Sequence, residues 1–70
     1  MKVDLFIYKP KSGDYGSDWV YYCTVNDLEK SRRIAGVLVE QGEYVRIFSF
    51  SRTGIGRMLI ELGNNAKLSA

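Results

Sequence analysis

The segment Ser51–Arg57 holds the residues of this 70-residue sequence that best suit ligand chemistry. It combines two guanidinium groups, two glycines and a hydroxyl, which are supplied by Arg52, Thr53, Gly54, Gly56 and Arg57. Helical spacing of the apolar residues that follow predicts that a helix begins at about Thr53. Exposed backbone N–H groups at a helix start and nearby arginines bind phosphate or carboxylate. The sequence therefore predicts an anion-binding site, against the alternative of an ordinary turn before a frayed helix.

The groups that most enzymes use are missing. Histidine is absent, and Cys23 is the only cysteine, so the chain lacks the commonest general base and has no Cys–His pair. An unactivated cysteine in a strand is predicted to be a small buried hydrophobic residue. We therefore expect a protein that is not an enzyme and that needs no metal and no cofactor.

Aromatic side chains form the second candidate site. In the alternating segment that ends at Tyr8, and again from Tyr44 to Phe50, aromatic residues occupy one side of each predicted strand. The predicted partner-binding residues on that side are Phe6, Tyr8, Tyr44, Arg46, Phe48 and Phe50, with Trp19 and Tyr21 joining them if the hairpin register allows.

Three interpretations of this surface stay open at this point. It is core, or is covered by the C-terminal tail; it is a protein interface, where Tyr, Phe, Trp and Arg are enriched; or it is a stacking platform for single-stranded nucleic acid. The helices and strands that would position the anion site and the aromatic side chains can be predicted from the periodicity of apolar residues.

Alternation predicts strands at Lys2–Tyr8, Asp18–Val25 and Tyr44–Phe50. Asn26–Gln41 carries one apolar stripe at helical spacing, with Asn26 as the N-cap and Gly42 as the left-handed residue after its end. A second stripe, formed by Ile55, Met58, Leu59 and Leu62, predicts a shorter helix over 53–62.

This order predicts an α+β fold in one small domain, β-β-α-β-α, with a three-stranded mixed sheet of strand order 2-1-3 and both helices on one face. The domain is expected to span 1–63, and 64–70 to form a flexible C-terminal tail.

Net charge is +2, and 46% of the residues are hydrophobic. This balance predicts no obligatory polyanion, no membrane contact and a cytoplasmic setting. A chain this short has a small core, so association with another chain would add stability. The predicted function is a small non-catalytic binding or regulatory protein that acts through protein–protein contacts, as a homodimer or on another protein partner. A phage or mobile-element accessory protein fits this size. The alternative is a small nucleic-acid-binding protein that uses the aromatic strand with Arg46, Arg52 and Arg57.

Overall fold

Alternating apolar residues make β1 (Val3–Tyr8) the central strand of the fold. In the computed structural model, which describes residues 1–10 and 18–63, Val3, Leu5 and Ile7 are buried on one side of this strand. The other elements are β2 (Trp19–Val25), α1 (Leu28–Glu40), β3 (Val45–Ser49) and β4 (Met58–Leu62).

The four strands form one antiparallel sheet in the order β2-β1-β3-β4. The α+β class and the predicted placement of β1 between β2 and β3, antiparallel to both, are confirmed. The sheet contains four strands rather than three, and it is antiparallel rather than mixed. β2 and β3 run in the same direction, but β1 lies between them and pairs with both, so no parallel pair forms.

The predicted second helix over 53–62 is wrong, because Met58–Leu62 is a strand that pairs with β3. The predicted stripe does not form one surface, because Ile55 lies exposed before the strand and Met58 is not among the residues that pack against the core. Opposite Ile47 and Phe48 the register shifts by one residue, so Leu59 and Ile60 both pack against the core although they are neighbours in the sequence. This β-bulge interrupts the alternation that would have indicated a strand. One helix, not two, lies on the sheet.

Helix α1 covers the aliphatic face of the sheet. Ser31, Ala35 and Leu38 are buried, as the predicted stripe requires. The N-cap is Asp27 rather than Asn26: its carboxylate accepts a hydrogen bond from the Glu29 N–H at 3.0 Å. An acidic cap also complements the positive end of the helix dipole.

The C-terminal end of α1 is a Schellman turn, as Gly42 predicted. Gly42 has a φ of 91°. Its N–H donates to the Val39 carbonyl, and the Glu43 N–H donates to the Leu38 carbonyl, both at 2.9 Å. These bonds satisfy carbonyls that the helix leaves unpaired, and they turn the chain directly into β3.

The core lies between α1 and the central strands. Its buried hydrophobic members are Val3, Leu5, Ile7, Ala35, Leu38, Val45 and Ile47. No helix within the described ranges, 1–10 and 18–63, is long and apolar enough to cross a membrane. The predicted tail over 64–70 and most of the predicted loop before β2 lie outside the described residues.

Candidate interaction surface

The surface of the sheet opposite α1 carries most of the aromatic side chains. We call it the aromatic face. Alternation along the strands and their register place there Phe6, Tyr8, Trp19, Tyr21, Tyr44, Arg46, Phe48, Phe50, Met58 and Glu61. The structure thus brings the predicted partner-binding residues together on one face, and it adds Trp19, Tyr21, Met58 and Glu61.

A second bulge lets β2 contribute its aromatic residues to this face. Phe6 pairs with Tyr21 while its neighbour Leu5 pairs with Cys23, so Tyr22 is the extra residue. In a regular strand Tyr21 and Cys23 would point the same way. The bulge reverses the alternation between them, which sends Tyr21 to the aromatic face and Cys23 towards the core.

A row of three rings, those of Tyr21, Phe6 and Phe48, packs edge to face. The Phe6 ring centroid lies 5.8 Å from that of Tyr21 and 5.3 Å from that of Phe48. Trp19 extends the surface, with its ring centroid 5.3 Å from Tyr8 and 6.0 Å from Tyr44. Edge-to-face contacts hold rings in defined orientations, so the row is a preformed surface.

Part of this face is open to solvent. Tyr21, Phe50 and Met58 are 49%, 41% and 47% exposed, and Phe6 and Phe48 are partly exposed. Tyr44, by contrast, is only 2% exposed. Tyr44 was predicted to bind a partner, but its burial leaves little surface for contact with one. The face is therefore neither fully buried core nor uniformly exposed.

Arg46 is held by neighbours on two sides. Its Nε donates to Glu61 Oε2 at 2.6 Å, and its guanidinium carbon lies 4.1 Å from the centre of the Trp19 ring. Tyr44 donates its hydroxyl to the other Glu61 oxygen at 2.8 Å. Hydrogen bonds from Arg46 and then Tyr44 lower the pKa of Glu61. The arginine charge is therefore already neutralised within the chain.

This arrangement predicts a pH dependence. Because the pKa of Glu61 is lowered from its ordinary 4.5, its ion pair stabilises the fold above that value, and the stabilisation is lost as pH falls through the lowered pKa. In Arg46→Met, which retains an unbranched side chain beside Trp19, the Glu61 pKa should rise. A carbon-detected NMR titration of the Glu61 carboxyl measures this directly. Arg33→Met removes an exposed helix charge and should leave the titration unchanged; an unshifted Glu61 in Arg46→Met would contradict the assignment.

A second polar chain crosses the face at β1 and β2. The hydroxyl of Thr24 donates to Asp4 in a short hydrogen bond and also bonds the Tyr21 hydroxyl at 2.6 Å. No buried side-chain nitrogen or oxygen of the described residues lacks a hydrogen-bond partner. Thr24 thus links Asp4 and Tyr21 by hydrogen bonds within the chain.

The predicted anion site lies on a loop rather than at a helix start. Residues 50–57 connect β3 to β4, so this segment has no helix start whose exposed N–H groups could bind an anion. Arg52, Thr53, Gly54 and Arg57 are exposed, and Gly56 packs against Ser49. Anion binding by these residues stays a prediction, and it now rests only on the guanidinium groups of Arg52 and Arg57.

The environment of Cys23 does not activate its thiol. Burial and then the Asp4 carboxylate raise its pKa, which disfavours the thiolate. It packs partly buried against the core, close to the predicted role. In the part of the chain that the structure describes, no three His, Cys, Asp or Glu side chains converge as metal ligands.

Two features of this surface escaped the sequence analysis. Glu61 was assigned to a helix, so its pairing with Arg46 was not foreseen, and Met58 was assigned to a core stripe. Arg46 and Glu61 lie opposite each other on β3 and β4. Their opposite charges could have indicated the pair only if β4 had been recognised as a strand. Comparisons with protein-family profiles, with curated protein sequences and with solved structures gave no match to this chain.

Proposed function

We propose that this chain is a non-catalytic binding protein whose aromatic face pairs with the same face of a second copy. The observation that carries the proposal is the row formed by Tyr21, Phe6 and Phe48, which is preformed and partly exposed on the sheet surface opposite α1. A small core gains stability when such an apolar surface is covered.

Charge balance favours a second copy as the occupant. Lys2 and Arg46 are matched by Asp4 and Glu61, and Arg46 is already paired with Glu61. A face without excess charge does not repel its own copy, and a two-fold axis places each group of one copy opposite its neighbours on the other. A partly buried face rich in rings and poor in unpaired charge has the composition of an interface core.

The same observations disfavour the nucleic-acid alternative at this face. Binding to phosphates requires cations that release counterions. Of the three arginines expected to supply that charge, Arg52 and Arg57 lie in the loop between β3 and β4. Arg46 alone is on the aromatic face, where it pairs with Glu61 and packs against Trp19. Tyr44, one of the proposed stacking rings, is buried.

The size of the face sets the expected affinity. Four strands about 4.8 Å apart, each about six residues long at roughly 3.3 Å per residue, give a surface of about 19 by 20 Å. That footprint, about 400 Å², is about half of the roughly 800 Å² per partner of a standard stable interface. We therefore expect a reversible dimer with a micromolar dissociation constant.

Analytical ultracentrifugation of the wild-type chain tests this. The weight-average mass should rise from 8.0 kDa towards twice that value as concentration increases through the micromolar range. Trp19, the only tryptophan, lies on the face, so its fluorescence should change with the same midpoint. A mass that stays monomeric at several hundred micromolar would contradict the proposal. Quenching of Trp19 by a single-stranded oligonucleotide, weakening with added salt, would instead support the nucleic-acid alternative.

A further inference from the structure

The loop between β3 and β4 presents an aliphatic side chain to solvent. Ile55 is 76% exposed, and glycines precede and follow it. The base of the loop is closed by two hydrogen bonds of 2.9 Å: the Ser49 N–H donates to the Arg57 carbonyl, and the Arg57 N–H donates to the Ser49 hydroxyl. The isoleucine is therefore held outward on a braced loop.

The surroundings of this side chain are cationic. Arg52 and Arg57 are exposed on either side of it, and the sequence contains no acidic residue from 44 to 60. Within residues 1–10 and 18–63, neither arginine forms an ion pair. At the base of the loop Lys2 lies with its Nζ 4.3 Å from the centre of the exposed Phe50 ring. The loop thus combines an exposed aliphatic tip with two arginines that have no ion-pair partner among the residues that the structure describes.

We propose that this loop binds the surface of a lipid membrane that contains anionic headgroups. Ile55 would enter the boundary between headgroups and acyl chains, and Arg52 and Arg57 would contact the lipid phosphates. An apolar side chain beside basic side chains is the composition of segments that lie at this boundary. The proposal concerns peripheral contact through a loop. It departs from the expectation of no membrane contact that the sequence analysis stated, and it is independent of pairing through the aromatic face.

A membrane accounts for the loop better than a nucleic acid does. Phosphates of either polymer or bilayer attract the arginines, but only the bilayer offers an apolar medium for Ile55. Each basic side chain near an anionic surface strengthens binding about fivefold, and burial of one aliphatic side chain adds about tenfold. The charge complementarity and the isoleucine therefore act together at a membrane but not at a nucleic acid.

Co-sedimentation with vesicles tests the proposal. Wild-type protein should bind vesicles of phosphatidylcholine with 30% phosphatidylserine, but not vesicles of phosphatidylcholine alone, and binding should weaken with salt. Ile55→Ser should lower the partition coefficient about tenfold, and Arg57→Gln about fivefold. The matched controls Val37→Ser and Arg33→Gln change an exposed aliphatic residue and an exposed arginine of α1, and both should bind as the wild type does.

Three results would overturn it. The first is equal binding to both kinds of vesicle, or to neither. The second is loss of binding in Arg57→Gln with none in Ile55→Ser, which would show a simple phosphate-binding loop. The third is tighter binding to a single-stranded oligonucleotide than to the anionic vesicles, with the same dependence on Arg57 alone. Because the side chain of Ile55 is largely in solvent, circular dichroism of Ile55→Ser should match the wild type, which separates a loss of binding from a loss of fold.

Discussion

The Gly56→Ala protein is expected to melt at least about 10 °C below the wild type, from a loss of about 2–3 kcal/mol in the free energy of unfolding. A Cβ atom at this position would overlap the carbonyl oxygen of Ser49 and lie 2.6 Å from its hydroxyl. The first obstacle is backbone, so no rotamer change relieves it. The loop must move away from Ser49, which breaks the two hydrogen bonds that close its base, each contributing about 1 kcal/mol.

Gly36→Ala is the matched control for this prediction. Gly36 is exposed in α1, and a Cβ there meets no atom within 4 Å. Alanine in a helix interior is favoured over glycine by about 1 kcal/mol, so this variant should melt a few degrees above the wild type. Thermal unfolding followed by circular dichroism compares the two. A Gly56→Ala protein as stable as the wild type would show that the loop does not pack against Ser49 as described.

Phe48→Lys is expected to weaken self-association about a thousandfold while leaving the monomer folded. Phe48 lies in the aromatic row, and in a two-fold dimer each substitution occurs twice. Loss of a central aromatic contact costs about 2 kcal/mol per site, so the pair amounts to about three orders of magnitude in the dissociation constant. Lysine is chosen because Asp4 is the cross-strand neighbour of Phe48, and an opposite charge there supports the strand pair.

Val37→Lys is the control for Phe48→Lys. Val37 is 54% exposed on the solvent side of α1, so it introduces the same charge far from the aromatic face. Sedimentation of both variants should show a monomer for Phe48→Lys and a wild-type dimer for Val37→Lys. If both proteins associate equally, the interface lies elsewhere; if Val37→Lys alone dissociates, the exposed side of the helix is the contact surface.

Periodicity was sufficient for the elements whose alternation is regular. The strand β1 and the stripe of α1 were predicted because each residue's side follows from its number, and the glycine that ends α1 was recognised from its position. The N-cap was predicted one residue early, at Asn26, and the sequence alone does not distinguish it from Asp27, because both residue types cap helices well. Only the hydrogen bond from Glu29 separates them.

Periodicity did not predict the two β-bulges, each of which adds one residue to a strand and so reverses the sides to which the following side chains point. In β4 the extra residue interrupted the alternation that would have indicated a strand, and in β2 it left the orientation of Tyr21 undetermined from the sequence. Bulges are set by pairing with a neighbouring strand, which is non-local information. The residues that β1 and β3 contribute to the aromatic face were therefore predicted from the sequence. The pairing of Glu61 with Arg46 was not, because it depends on the position of β4 beside β3.

Intermolecular NOEs in a mixture of isotope-labelled and unlabelled protein test the pairing of aromatic faces most directly. At a concentration where the chain sediments as a dimer, the rings of Phe6 and Phe48 and the methyl group of Met58 in one copy should give cross-peaks to protons of the same face in the other. Cross-peaks confined to the exposed side of α1, such as those from Val37, or the absence of any from the Phe48 ring in a dimeric sample, would contradict the account.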